Sequence, residues 1–392
     1  MHFDLIVIGG GIVGLGHAWA AAKQGQSVAL FDNNSRAEGA SIRNFGMVWP
    51  VGQPAGPQRA LALRSRTLWR ELGAAAGFPV QTCGSLHLAH HEDEMAVLKE
   101  FSASTAADGL DIELVNPKQI ADLTSAANQN NLQGGMYSHS ELRVTPPIAI
   151  SSATSYLATS LGVQFHFNTP VTKVESGVAI TADGQSHTAN RIVIATGAYF
   201  QYLFPEIHKS ERLLLCKLQM MLTEAQPANW QLGPHIASGL TLRHYPSFIN
   251  CPSLASVKQR IAEACPELDR YGIHVMASQA DGGGLILGDS HEYNDDIEPT
   301  DKVEIDALML QELRKIIDVP NWNIARRWSG LYAKHPSQMC FVREVCPDVL
   351  VVNGFGGNGM TLALAFSESI IHRWKDSAHV EALNGKPVND RT

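Results

Sequence analysis

A long unbroken apolar run is the first thing missing from this chain of 392 residues. The stretch from Phe3 to Ala22 has about the length of a membrane span or a signal segment. Five glycines interrupt it, however, and Asp4 stands where a signal would carry basic residues. The sequence therefore predicts neither, and cytoplasm is the expected location. Cysteine is scarce: Cys83, Cys216, Cys251, Cys265, Cys340 and Cys346 show no C-x-x-C spacing, which excludes a disulfide framework for a chain this long. An excess of basic charge is absent too, with 30 Lys and Arg against 38 Asp and Glu and a net charge of −8. That balance argues against a general binder of nucleic acid or anionic membranes. Repeats and low-complexity linkers are missing. With a hydrophobic share of 45% the chain should fold throughout, and its length points to two structural units.

The opening is punctuated like a βαβ unit. Phe3 to Ile8 is an apolar strand ending in glycines, Ile12 to Gln24 reads as a helix, and Ser27 to Phe31 is a second strand. Neither strand alternates, as expected of parallel strands covered on both faces. Helices follow over Pro57 to Ala76 and Pro146 to Leu161, with Pro in the first turn of each. Val163 to Phe167 and Arg191 to Thr196 read as strands of the same sheet. Strands at Ser85 to Ala89, Leu213 to Leu222, Leu240 to Tyr245, Gly272 to Ser278 and Leu285 to Leu287, with helices at Glu92 to Ala106, near Ser256 and near Glu304, suit a mixed cap. A last strand, Val349 to Val352, leads through a glycine cluster into a helix reaching about Trp374.

Gly9, Gly11 and Gly14 fit G-x-G-x-x-G between the first strand and the first helix. Such glycines permit a tight turn, let the backbone approach a pyrophosphate and allow close helix packing, while the helix N-terminus supplies free N–H groups. Asp32 ends the second strand 21 positions after Gly11, where a carboxylate can accept hydrogen bonds from a ribose. The motif, including Ile12 and Val13 and, beside Asp32, Asn33, predicts a dinucleotide without choosing NAD or FAD.

Three later segments make that choice: Ala40-Ser41-Ile42-Arg43-Asn44-Phe45-Gly46, Val193-Ile194-Ala195-Thr196-Gly197-Ala198, and Asn353-Gly354-Phe355-Gly356-Gly357-Asn358-Gly359-Met360-Thr361. Together and in this order they resemble the D-amino acid oxidase superfamily, in its glycine oxidase and sarcosine oxidase branch, over essentially the whole chain. The resemblance implies an α/β fold: a Rossmann-like FAD-binding domain of the glutathione-reductase type, from 1–80, 143–210 and 321–392, with a discontinuous α+β substrate-binding cap from 81–142 and 211–320. It places Ser41, Arg43, Asn44, Gly46 and Met47 along the pyrophosphate and flavin, Val171 at the adenine, Ala195, Thr196 and Gly197 near the FAD, and Gly354 to Thr361 over the ring and ribityl chain. Backbone amides of that last cluster would stabilise charge developing on the ring. Branches with covalent flavin carry a cysteine near where Gly330 stands, so FAD is expected to be non-covalent.

The departures bear on substrate. Where amino-acid-oxidising relatives hold a carboxylate with Arg or Lys, this chain has Gly330-Leu331-Tyr332 and, in the final cluster, Gly357 or Thr361. A neutral side chain does not replace a bidentate Arg clamp. The run from Arg43 to Gln53 is similar to a subgroup associated with aminophosphonate catabolism, which implies a substrate related to 2-aminoethylphosphonate. Candidate donors to a phosphonate are Arg43, Lys217, Arg243, His244, Lys334 and His335. Met47, Trp49, Tyr245 and Tyr332 are candidates for the walls beside the ring. His139 and His291 belong to no ligand motif, and no metal is expected.

The expected chemistry is hydride transfer from a small amine to flavin, then hydrolysis of the imine, with electrons leaving to dioxygen or to a quinone or carrier protein; the sequence names no acid–base residue. An amino-acid, glycine or sarcosine type of oxidase or dehydrogenase is the alternative substrate reading. A flavin monooxygenase, an NAD-linked dehydrogenase and a non-catalytic FAD-binding protein are further readings. Oligomeric state is open.

Overall fold

The computed structural model describes residues 2–376; Met1 and residues 377–392, the end of the expected 321–392 segment, lie outside the described residues. Five parallel strands form the heart of the first sheet. His2–Ile8 pairs with Val28–Phe31 on one side and Ser186–Ile194 on the other; Gln164–His166 lies beyond the former and Val349–Asn353 beyond the latter. Leu5 and Val7 pack on helices Ile12–Ala22, Pro57–Ala76, Pro146–Leu161 and Gly359–His372, while Ile6 and Ile8 join an apolar cluster on the opposite face. Burial on both faces is why these strands read as continuous apolar runs.

A nine-stranded sheet forms the second layer system. Its spine is Leu214–Thr223, paired antiparallel along its length with Ile324–Lys334. Ile324–Lys334 falls within the segment 321–392 assigned by the resemblance to the FAD-binding unit, yet it hydrogen-bonds into this second sheet. A bridge between Lys334 and Phe355 then returns the chain to the first sheet. Helices Leu254–Ala264 and Val303–Ile316 contribute Val257, Ile261, Met309 and Leu313 to the second core.

One expected strand is corrected. Leu240 to Tyr245 is a 3-10 turn over Gly239–Arg243. The Thr241 hydroxyl donates to the Ser238 carbonyl at 2.6 Å, closing a local turn, and Pro246 cannot donate to a ladder. Leu240 and Leu242 are buried all the same, so their spacing imitates a strand. No described helix is long and apolar enough to cross a membrane.

Candidate functional site

In an open α/β sheet a ligand crevice forms beyond the carboxyl ends of the parallel strands. Ile8, Phe31 and Ile194 stand in one register across the first sheet, and directly after them come Gly9, Asp32 and Ala195. These residues border a cavity of about 840 Å³ that continues to the face of the second sheet.

The glycine turn is built by close approach. Gly9 has φ +114°, and a Cβ there would overlap the Ala195 carbonyl; one on Gly14 would overlap the Gly9 carbonyl. Gly11 begins helix Ile12–Ala22 without a side-chain cap. Ser41 Oγ accepts from the Ile12 N–H at 2.8 Å. Asp32 Oδ2 accepts from the Gly10 N–H at 2.6 Å and Oδ1 from the Asn34 N–H at 2.8 Å, leaving one lone pair on each oxygen. Thr196 Oγ1 is buried without a partner among the described residues. A helix start, a carboxylate at a strand end and an orphaned hydroxyl along one elongated crevice fit an adenine dinucleotide.

Among the expected cofactor positions, Ile12, Val13, Asn33, Ser41, Arg43, Asn44, Val171, Thr196, Gly197, Gly354, Gly356, Gly357, Asn358, Gly359 and Met360 also border the cavity. Gly14, Gly46, Met47 and Thr361 do not. Gly14 sits inside the helix–strand packing. Gly46 has φ +74° against the Val144 carbonyl, and its N–H donates to Asn44 Oδ1 at 2.8 Å. Met47 is buried in a short strand pairing with Arg143. Thr361 Oγ1 accepts from the Trp49 N–H at 3.0 Å, tying the Arg43–Gln53 run to the last helix. These four positions shape the cavity wall from behind.

At the other end, Tyr245, Tyr332, Lys334, Arg243, His244 and His335 all border the cavity. Lys217 is a correction. Strand side chains alternate, and Leu218 and Met220 take the cavity face. The Lys217 ammonium points away, donating to the Glu298 and Thr300 carbonyls at 2.9 and 2.6 Å and pairing with Asp301 at 3.0 Å. Trp49 is likewise behind the wall, its ring 6.0 Å from Tyr245. Arg243 is committed to Asp269 and the Ile273 carbonyl, and His335 to Glu211 at 3.4 Å. Lys334 differs: Nζ lies 3.3 Å from the Tyr293 hydroxyl and over its ring, and it has no carboxylate partner among the described residues. Arg43 donates to the Ser329 carbonyl at 3.0 Å.

Sequence reasoning named His244 and His291 separately but missed His274 and Asp289, which stand with them. His244, His274 and His291 form one cluster with a nitrogen of each within 4.8 Å of the others, and Asp289 joins it. Burial and mutual repulsion hold His244 and His274 well below the ordinary imidazole range, and burial pushes His291 down to about 4. Burial raises Asp289. His274 and Asp289 come from different loops and carry no spacing signal. Thr169 and Thr172 also border the cavity and flank Val171, so their neighbourhood was the available signal.

The match to known proteins is broad. The family model described as FAD dependent oxidoreductase matches residues 4–373. An opine oxidase subunit from Rhizobium meliloti is 23% identical over 347 residues, covering 84% of this chain and 82% of its own length. N-methyl-L-tryptophan oxidase of Yersinia pestis is 26% identical over 217 residues, 53% of this chain and 57% of that protein. The fold matches glycine oxidase from Bacillus cereus with a TM-score of 0.77 at 18% identity, covering 99% of this chain and 100% of that one. A match spanning nearly the entire chain, on a fold whose glycine turn and strand ends frame a dinucleotide-sized crevice, establishes that the protein belongs to the FAD-dependent oxidoreductase family.

Proposed function

We propose that the protein oxidises a small amine carrying an anionic group, an aminophosphonate related to 2-aminoethylphosphonate. The observation that carries this reading is Lys334, a cavity-lining ammonium without a described carboxylate partner, on the same strand as Tyr332, the position where the family resemblance puts an arginine clamp. A cation held in a part-buried cavity without a counter-charge favours an anionic ligand. The names of the relatives, an N-methyl amino acid oxidase and glycine oxidases, support an amine donor.

FAD, when bound along the glycine-lined half of the cavity, supplies the acceptor for a hydride from the carbon bearing the nitrogen. The residues of this chain bind and orient. Lys334 and Arg43 attract the anionic end, and the rings of Tyr245 and Tyr332 restrict the amine and exclude water. Loss of a hydride and a proton converts the amine to an imine; water then gives a carbonyl compound and ammonia or a smaller amine. No side chain is needed as a base if the amine binds deprotonated. No cysteine lines the cavity among the described residues, in keeping with non-covalent FAD, and dioxygen or a quinone or carrier protein takes the electrons.

The test is the visible spectrum of the anaerobic holoenzyme titrated with 2-aminoethylphosphonate, its N-methyl and 1-hydroxy derivatives, glycine, sarcosine and D-alanine. Bleaching by an aminophosphonate at concentrations where the amino acids do nothing is the expected result. Bleaching by glycine or sarcosine alone transfers the assignment to an amino acid.

A further inference from the structure

The imidazoles at the substrate end of the cavity meet a carboxylate with several of their buried polar atoms unpartnered among the described residues. His291 Nδ1 lies 3.1 Å from the Gly272 carbonyl. A carbonyl only accepts, so Nδ1 carries the hydrogen and Nε2 of the neutral ring presents a lone pair. That lone pair faces Asp289 Oδ2 at 3.8 Å. His274 Nε2 lies 3.2 Å from Asp289 Oδ1, yet Oδ1 and both nitrogens of His274 are buried without a hydrogen bond. Buried polar atoms left without a partner are unfavourable, and a cation held among these nitrogens and oxygens would satisfy them together. The third imidazole, His244, is the accessible member of the cluster and borders the cavity, its ring 3.9 Å from that of His274 and 4.6 Å from that of His291.

We infer that His244, His274, His291 and Asp289 form a binding site for a divalent first-row metal ion, with an open position toward the cavity. Three neutral imidazoles and one carboxylate are a donor set suited to zinc and its neighbours. The hydrogen bond from His291 to Gly272 is the outer contact that fixes the tautomer of a ligating imidazole. Ligand nitrogens around one tetrahedral ion with bonds of about 2.0–2.1 Å stand about 3.3 Å apart, whereas here they spread to 4.8 Å. Closing that gap falls to His244, the exposed member of the cluster, while His274 and His291 are buried.

The site deepens the reading given above and its substrate role rests on it: an open position on the ion would take an oxygen of the anionic group, sharing it with Lys334. The ion itself does not depend on the substrate. His139, by contrast, sits outside the cluster beside Glu113 at 3.3 Å, and it serves as a control.

The experiment uses untagged holoenzyme, stripped with a chelator and titrated with zinc in competition with a chromophoric chelator, then with cobalt(II), whose ligand-field bands lie to the red of the flavin. One ion per chain is expected, with intense cobalt bands of a four- or five-coordinate nitrogen–oxygen site. H244A and D289N should each weaken binding at least about tenfold, while H139A leaves it unchanged. H244A removes a cavity-facing ring, and unaltered FAD content and melting temperature show that it folds. Absence of saturable binding, or binding indifferent to H244A and D289N, overturns the site. Amines that bleach the flavin without metal leave the proposed function standing and remove the ion from it; stoichiometric metal without bleaching by any amine does the reverse.

Discussion

The carboxylate of Asp32 accepts the Gly10 N–H at 2.6 Å, so the residue at the end of the second strand is tied to the glycine turn at the end of the first. One oxygen lone pair is used to hold the turn and another remains for a ribose. Asp32→Ala removes both. A hydrogen bond to a charged group contributes about 1.5–3 kcal/mol, and FAD affinity should fall roughly 10- to 100-fold. Asp32→Asn keeps one acceptor and should lose less. Equilibrium dialysis of apoprotein with FAD measures this, and equal affinity of D32A and wild type would remove Asp32 from the cofactor site.

Lys334 is tested by charge removal. Lys334→Met should raise the concentration of 2-aminoethylphosphonate needed for half-maximal flavin reduction by roughly 10- to 100-fold, the value of one charge-assisted contact. The same variant should treat an uncharged amine such as ethylamine as wild type does. A uniform loss for both amines would mean that Lys334 shapes the pocket and does not bind the anion.

The parallel sheet and its glycine turn were legible because each carries a local signal: continuous apolar strands, glycines forced by the Ala195 and Gly9 carbonyls, and Asp32 at the strand end. The polar end of the cavity was not. His274 and Asp289 meet His244 through pairing of distant backbone, His274 N–H to the Asp289 carbonyl at 3.2 Å, and no spacing announces it. Lys217 shows the complementary failure. Its strand was read over the right residues, but a period of two puts every second side chain on the far face, and sequence alone does not say which face is wet. The long strand Ile324–Lys334 escaped notice because Arg326, Arg327 and Ser329 interrupt its apolar pattern, and only Gly330, Tyr332 and Ala333 of it are buried.

Lys217 consequently predicts a separation of stability from binding. Its side chain is buried among the Glu298 and Thr300 carbonyls and Asp301. Lys217→Met leaves those carbonyls without a donor and should destabilise the protein by about 1–3 kcal/mol. Amine concentrations for half-maximal flavin reduction should stay within about twofold of wild type, since the carbonyls lie on the far side of the sheet from Leu218 and Met220. A selective loss of aminophosphonate binding at unchanged melting temperature would contradict the side-chain direction.

Glu141 gives a pH signature away from the cavity. Its carboxyl is fully buried, accepting from the Val51 N–H at 3.0 Å and the Ser85 hydroxyl at 2.9 Å, and burial pushes its pKa up to about 7 from the ordinary 4.5. Between those values the folded protein holds a proton that the unfolded chain has released. The contribution is therefore fully present below about pH 4.5 and lost as pH rises through about 7. At about 1.4 kcal/mol per pH unit it amounts to about 3 kcal/mol. Buried His17, His87 and His235 act in the opposite sense, because burial lowers them to about 4, 3 and 3: the unfolded chain binds their protons first, so stability rises with pH up to about 6.5. Wild-type stability alone mixes the two. Glu141→Gln, which keeps an acceptor and cannot ionise, isolates the carboxyl: relative to wild type it should gain stability as pH rises from 5 to about 7 and level off above that, read as the difference in melting temperature. A constant difference across that range would mean that Glu141 is ionised throughout and held by its three hydrogen-bonding neighbours Ser138, Val51 and Ser85.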